Sequence, residues 1–400
     1  MSRTPWLAPL NETETAHWDG VAAEVAEALG QDALIRDRAN QEPDAELKLL
    51  KESGLANLLI PAEFGGRGGH WSSAFRAVRI LARTDASIAQ ILSYHYVNHA
   101  GIVFFGEPSR WQHWFSASAE GNWLWGDSVN PVDPDLTLTP TEGGYRLNGT
   151  KRFSTGASTG DVTLVMALDQ STGPDRVLAS VLEHDRPGVE YLGDWDALGQ
   201  RLSASGSVRF ADVEVEVNDI LGDVADEPYS TLVTPGVQLG FANLYLGIAE
   251  GALQRARELT LARRGAWLLS DAEHYSRDPF VRRVFGELLA RTAAAEALTD
   301  RWNTRYDHII AHGSAVTAAD RTDIEIGIAN AKVVTTETAL EVAHRVFEVT
   351  GSSSAKSDIG LDLFWRNIRT HSLHDPVDYK KLEIGAHYLT GAVQPITLYT

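Results

Sequence analysis

The sequence predicts an α+β fold in three regions: an all-α N-terminal domain over 1–120, an antiparallel β-barrel or sandwich over 121–227, and a C-terminal four-helix bundle over 228–400. Three observations carry this expectation. Apolar residues first recur at helical spacing, then the period switches to two through the middle of the chain, and helical spacing returns in segments of about thirty residues, far beyond an average globular helix.

In the N-terminal region Trp18, Val21, Ala22, Val25, Ala26 and Leu29 fall on one helical face, with Asn11 placed as an N-cap and Glu14 as its reciprocal partner. The turn Pro61-Ala62-Glu63-Phe64-Gly65-Gly66 interrupts the helices. In the middle region, β-rich runs at 162–168, 176–182 and 207–217 are separated by Gly, Asp and Pro, and Asn148-Gly149 is the strongest local hairpin signal. In the C-terminal region a long helix is expected over 236–264 and a second from Asp278-Pro279, with the aspartate as cap and the proline in the first helical position. A third is expected over 318–350, ending before Gly351. Helices of this length without heptad discipline bury their faces against one another and often against a second subunit.

Composition excludes several functions. With 400 residues and 44% hydrophobic content, a large core is within reach. A net charge of -19 argues against nucleic-acid or anionic-membrane partners, which need an excess of cations. The chain has no cysteine, so thiolate nucleophiles and iron–sulfur clusters are out, and no metal site is expected. Residues 1–10 carry no apolar run of signal-peptide length and no segment reads as membrane-spanning, so the expected location is cytoplasmic.

The chemistry concentrates in Trp365-Arg366-Asn367-Ile368-Arg369-Thr370-His371-Ser372-Leu373-His374-Asp375-Pro376. Arg366 and Arg369 are three apart, so on a helix they share a face and can grip an anion, and His371 and His374 repeat the spacing. Pro376 disfavours helix at Asp375, which places His374 at an element terminus.

The order of domains, with Pro61-Ala62-Glu63-Phe64-Gly65-Gly66, Leu147-Asn148-Gly149-Thr150-Lys151 and the late helix ending at Gly351, resembles the acyl-CoA dehydrogenase superfamily. Within it, Tyr94-His95-Tyr96-Val97-Asn98, the segment from Asn243 through Leu244, Tyr245 and Leu246 to Ala249, and the string from Phe364 to Val377 resemble the flavin-dependent monooxygenase branch, whose best-known members act on dibenzothiophene. The resemblance implies an enzyme that receives reduced FMN, in preference to FAD, from a separate NADH-dependent flavin reductase, and a homotetramer. It implies that O2 then forms a flavin hydroperoxide, which oxygenates a small aromatic or heteroatom-containing substrate such as a thiophenic sulfur.

The requirements of that chemistry map onto residues. Ser154 and Thr155 are expected at the polar edge of the flavin, Trp195 against its ring, and Arg283 and Arg369 at its phosphate, Arg283 from a neighbouring subunit. Tyr94 is expected to serve both flavin and catalysis, His374 and Asp127 to be catalytic, and Gln90, His95 and His371 to line the substrate pocket. The bland alternatives stay open: Ser154 and Thr155 as a strand end, Trp195 as one of 11 tryptophans in core or interface, Arg283 as half of a surface pair with Glu287, and His95 and His371 as satisfied structural histidines.

The dehydrogenases of the superfamily use a carboxylate base in a Tyr-Glu-Gly-Thr motif. Here the corresponding stretch is Val377-Asp378-Tyr379-Lys380, which leaves Asp378 as the base of an alternative, FAD-dependent acyl-CoA dehydrogenase. The chain departs from the sulfur-oxygenating members of the branch at two positions of the expected pocket: Gln90 stands where they carry histidine, and Asp127 where they carry asparagine. An ionised Asp127 only accepts hydrogen bonds, which favours an amine, amino sugar or indole as the alternative substrate. A third possibility is a catalytically silent flavin-binding member of the superfamily.

Overall fold

A computed structural model describes residues 4–7, 12–130, 133, 136–171, 176–263 and 265–398. The N-terminal layer is α1 (Glu12–Gly30), α2 (Ala33–Ala39), α3 (Asp44–Ser53), α4 (Trp71–Ala82), α5 (Ala86–Phe104) and α6 (Pro108–Gly121). Strands follow: β1 (Trp125–Ser128), β2 (Thr137–Thr141), β3 (Gly144–Lys151), β4 (Val162–Asp169), β5 (Val177–Glu183), β6 (Val189–Tyr191), β7 (Val208–Glu216) and β8 (Ile220–Asp223). The chain closes with α7 (Val233–Ala262), α8 (Pro279–Ile310), α9 (Ala318–Thr350), α10 (Asp362–His371) and α11 (Val377–Thr390).

The fold class is the predicted one, an acyl-CoA dehydrogenase-like arrangement of helices, sheet and helices. The caps explain where the long helices begin. Asp278 accepts hydrogen bonds from the Phe280 and Val281 amides, and Thr317 with Asp320 forms a capping box at the start of α9. The predicted cap at Asn11 lies outside the described residues. Glu14 instead reaches across to α4, where its carboxylate accepts from the His70 amide at 2.9 Å and the Ser73 hydroxyl at 2.8 Å.

α7 is the axis of the molecule and packs against α4, α5, α8 and α9. Ser230–Ala262 is long and apolar enough to cross a membrane, but 89% of its most apolar window is buried within the fold. A Cβ added at Gly247 or Gly251 would collide with the backbone of Arg79 or Arg83, so glycine is what allows α7 and α4 to cross this closely. Arg79 is buried at that crossing and pairs with Glu250 at 2.7 Å and Asp300 at 3.0 Å.

The eight strands form one sheet in the order β6-β7-β3-β2-β4-β5-β8, with β1 also on β4. It is mixed: β1 and β2 both run parallel to β4 and lie one after the other along the same edge of it, while the other pairings are antiparallel. The parallel pairs arise because β3 connects to β4 by a crossover past β2 rather than by a hairpin. Asn148-Gly149 does not turn the chain. Both residues lie inside the continuous strand β3, where the register with β7 slips between Leu147 and Gly149, and the reversal occurs earlier, between Thr141 and Gly144. Gly149 has φ 133° and Asn148 Oδ1 accepts from the Asp212 amide at 2.8 Å, so the pair builds a β-bulge.

Candidate active site

Six segments converge where the helical layers meet the sheet. From α5 come Gln90, Tyr94 and Asn98, spaced by four and therefore stacked on one face. Asp127 comes from β1, and Ser154 and Thr155 follow β3. Phe241 and Tyr245 come from α7, Lys332 from α9, and His371 is the last residue of α10. The helix stops there rather than at His374, which sits in the following turn with its amide bonded to the His371 carbonyl at 3.0 Å.

The sheet side is a polar shelf. Thr155 Oγ1 and Ser205 Oγ lie 2.9 Å apart, Gln90 Nε2 donates to Thr155 Oγ1 at 3.3 Å, and Gln200 Nε2 donates to Gln90 Oε1 at 2.8 Å. Ser154 and Ser128 hydroxyls share a bond of 2.9 Å. Gln90 thus orients the shelf. Asp127 is buried and its carboxylate accepts from Asn98 Nδ2 at 3.3 Å. Burial outweighs that bond and one from the Thr155 backbone, and pushes the Asp127 carboxyl up to about 7. Burial likewise raises the Tyr94 phenol well above its ordinary value, and the Asp127 charge adds to the rise.

The helical side is an aromatic wall. Tyr94 stacks on Phe241 with centroids 5.7 Å apart, and Phe241 meets the His371 ring at 4.7 Å and the His374 ring at 4.8 Å, both edge-on. The imidazoles of His371 and His374 lie 5.8 Å apart and 15° from parallel. His371 is buried, whereas His374 is exposed at its outer side in the single chain. Desolvation pushes the His374 imidazole down to about 4, with Asp375 opposing and Lys332 assisting. Beneath the wall Lys332 pairs with Asp375, Asp375 Oδ2 accepts from Gln238 Nε2 at 3.2 Å, and the Lys332 ammonium stands 5.3 Å from the Phe241 ring centre. Burial lowers the Lys332 ammonium to about 8 against the attraction of Asp375.

A lip borders the shelf. Phe153 and Trp195 meet edge-on at 6.2 Å, and Trp195 Nε1 is anchored on the Gln200 carbonyl at 2.9 Å. Phe153 is 58% exposed and holds φ 58°, a left-handed conformation costly for an aromatic residue. An exposed, strained aromatic side chain beside a tryptophan is what a planar ring can stack on. The groove at Ser154, Trp195, Arg201, Leu202 and Ala204 encloses about 100 Å³ and lies on the sheet side, apart from the histidine wall. Arg369 is half-buried and its guanidinium makes no hydrogen bond or ion pair among the described residues, which leaves it available to an anion. Ring platform, hydroxyl shelf and uncommitted cation together fit FMN.

Other expectations need correction. Arg366 does not join Arg369 in an anion grip: it is held by Asp37 at 2.6 Å and Asp362 at 2.8 Å. His95 is not in the pocket, because α5 turns it about 100° from Tyr94 into the core. There Nε2 meets the Ala56 carbonyl at 2.8 Å and Nδ1 accepts from the Trp125 amide at 3.0 Å, so both ring nitrogens are spent on structure. Asp378 has a side chain 86% exposed and paired with Lys381 at 3.3 Å, which removes it as the base of a dehydrogenase. Arg283 is 65% exposed in the second turn of α8 with Glu287 at 3.7 Å; within one chain α8 packs on other helices. Lys332, Phe241 and Phe153 join the candidate site but were not foreseen, and Asp375 was seen only as a member of the polar string. Lys332 had a legible signal, a cation on the apolar face of α9 with Ile324, Ile328 and Ala339; the φ of Phe153 had none.

Comparison with known proteins matches the acyl-CoA dehydrogenase N-terminal domain to residues 11–122, the middle domain to 128–213 and the C-terminal domain to 239–379. The chain is 37% identical to the probable FMNH2-dependent monooxygenase SfnC of Pseudomonas putida, over 91% of this chain and 93% of that one. It is 36% identical to the dibenzothiophene monooxygenase of Rhodococcus qingshengii, over 93% of both. Among solved structures, FMN-bound TdsC from Paenibacillus sp. A11-2 superposes with a TM-score of 0.93 at 34% identity, over 96% of this chain and 100% of that one. TdsC has also been solved with FMN and indole together.

Proposed function

This chain belongs to the acyl-CoA dehydrogenase family and, within it, to the flavin-dependent monooxygenases; from that premise we propose that it oxygenates a small organosulfur or heteroaromatic substrate with reduced FMN and O2. The observation that carries the reading is the meeting at Tyr94 of a hydroxyl shelf, beside an aromatic lip, and the His371/His374 wall. Reduced FMN supplies the electrons that activate O2. Ser154 and Thr155 would bond to the polar edge of its ring, Phe153 and Trp195 would stack on it, and Arg369, with Arg283 from a neighbouring copy, would take the phosphate. Phe241, Tyr94 and the buried side of the wall keep water from the reacting oxygen. His374, neutral and solvent-accessible beside the wall, gives or takes the proton.

The exposure of Asp378 speaks against thioester dehydrogenation. Asp127 supports a second substrate reading, oxygenation of an amine, amino sugar or indole, because a buried carboxyl near pH 7 can donate to such a molecule or ionise beside it. The reduced flavin comes from an NADH-dependent reductase that binds transiently, and the enzyme works in the cytoplasm as a homotetramer. Exposed Trp267, Leu268, Leu382 and Leu389, 64–89% accessible in the single chain, are apolar surface that such an assembly would cover.

The test is purified protein with a flavin reductase, NADH, FMN and isotopically labelled O2, offered dibenzothiophene or indole. One labelled oxygen in the product is expected. Reduction of bound flavin by butyryl-CoA, without oxygenated product, would overturn the reading.

A further inference from the structure

Tyr245 is fully buried, and its hydroxyl oxygen lies 2.9 Å from His371 Nδ1 and 3.1 Å from the His371 carbonyl oxygen. A phenol carries one proton, and a carbonyl can only accept. If the hydroxyl donates to Nδ1, the two oxygens are left facing each other with no proton between them. If the hydroxyl donates to the carbonyl, Nδ1–H donates to the hydroxyl oxygen and both contacts become hydrogen bonds. The second arrangement also serves the helix, because His371 ends α10 and its carbonyl has no partner within the helical ladder; the carbonyl then accepts from Tyr245 and from the His374 amide, one bond per lone pair. The bond count therefore fixes the proton of His371 on Nδ1.

The other nitrogen is then a lone-pair acceptor. Nε2 of His371 is buried and has no hydrogen-bond partner among the described residues. Its ring stands edge-on to Tyr94 at 6.3 Å and parallel to His374, so it belongs to the wall that faces the shelf. Burial, with His374 and Lys332 adding to it, holds the imidazole well below its ordinary value, which keeps it neutral. A buried acceptor without a donor is unfavourable, and the donor that completes it must come from what enters the cavity.

We propose that Tyr245 is a positioning residue that locks His371 in the Nδ1–H tautomer, so that Nε2 receives an N–H or O–H of the molecule that enters the reaction cavity. The inference rests on the reading of this wall as the reaction surface. It adds a selection rule: ligands that present a donor, such as indole, bind more tightly than isosteres that lack one, such as benzothiophene.

Nitrogen NMR of the flavin-free protein with labelled histidine tests the tautomer directly, the His371 signals being assigned by their loss in His371→Gln. Wild type is expected to show a protonated Nδ1 and a bare Nε2, and Tyr245→Phe a mixture of tautomers. A protonated Nε2 in wild type overturns the proposal without the need for any variant. Binding supplies the second readout. In the FMN complex, indole is expected to bind at least about tenfold tighter than benzothiophene, the loss of one hydrogen bond to a buried group, and Tyr245→Phe to shrink that ratio several-fold. A ratio unchanged by Tyr245→Phe overturns the selection rule. If the tautomer is as stated but no oxygenated product forms in any assay, the proposal about Tyr245 stands and the functional reading fails.

Discussion

Two histidine pairs in this molecule look alike by distance, and each keeps a buried Nε2 without a partner among the described residues, on His99 and on His371, but only the second pair lies against Tyr94 and Phe241. His95 and His99 lie 5.8 Å apart in α5, and His371 and His374 lie 5.8 Å apart across the end of α10. Both pairs are packed in aromatic rings, His99 against Phe115 at 5.0 Å and Trp125 at 5.6 Å. Yet His95 has both nitrogens bonded to backbone, where it ties α5 to β1 and to the turn at Ala56, whereas His374 is exposed and lies against Tyr94 and Phe241. Reactivity follows from which nitrogen is free and what it faces, and neither is set by the spacing of rings.

The largest effect that separates the pairs is expected from His374→Ala. If the imidazole moves the proton of the reaction, turnover falls by about 10²–10⁴-fold with folding and FMN affinity nearly intact, and peroxide release rises as coupled oxygenation falls. The comparison breaks if coupling stays normal. His95→Ala should do the reverse. It strands the Trp125 amide and the Ala56 carbonyl and leaves a cavity, a loss of roughly 2–5 kcal/mol in denaturant titration, with activity per folded molecule preserved.

At the anion site, Arg369→Ala and Arg283→Ala are each expected to weaken FMN binding by about 1.5–3 kcal/mol. Fluorescence titration checks this, and unchanged affinity in both would place the phosphate elsewhere. Light scattering on the same samples tests the assembly, and a stable, active monomer would contradict a site shared between copies.

A further effect is in the pH dependence of stability. His95 has its pKa depressed in the fold, to about 4 from 6.5, chiefly by desolvation. Its neutral ring therefore contributes stability that is present above pH 6.5 and lost as pH falls toward 4. Asp127 has the opposite sign: with its pKa raised from 3.8 to about 7, the folded chain binds the extra proton in that window, so stability falls as pH rises through it. Asp127→Asn removes this term, and the variant should gain on wild type from about pH 4 to pH 7 and hold the gain above. A constant difference across that range would mean that Asp127 is ionised throughout.

The sequence made the frame legible because long periodic helices, caps such as Asp278 and alternating strands are local signals, and the structure places α9 over the very residues expected, Ala318–Thr350. It misled where one dipeptide had two uses: Asn148-Gly149 suits a hairpin or a bulge, and the long partner strand β7 decides for the bulge. In the site, Tyr94, Ser154, Thr155, Gln90, Asp127, His371 and His374 do come together, since a dense polar string and a family resemblance both pointed there. Facing direction was the illegible feature. His95 adjoins Tyr94 in sequence but points into the core, and Arg366, one helical turn before Arg369, is claimed by Asp37, a partner 329 residues away. Lys332 was legible as a cation on an apolar helix face but not as part of the site, because its partner Asp375 is 43 residues distant.

The most direct test of the account is the ratio of oxygenated product to NADH consumed, measured side by side for wild type, His374→Ala and His95→Ala with reductase, FMN and air. The account predicts that the ratio collapses for His374→Ala and equals that of wild type for the folded fraction of His95→Ala. Equal ratios in the two variants would contradict it, because the wall at the end of α10 would then be no more a reaction surface than the core of α5.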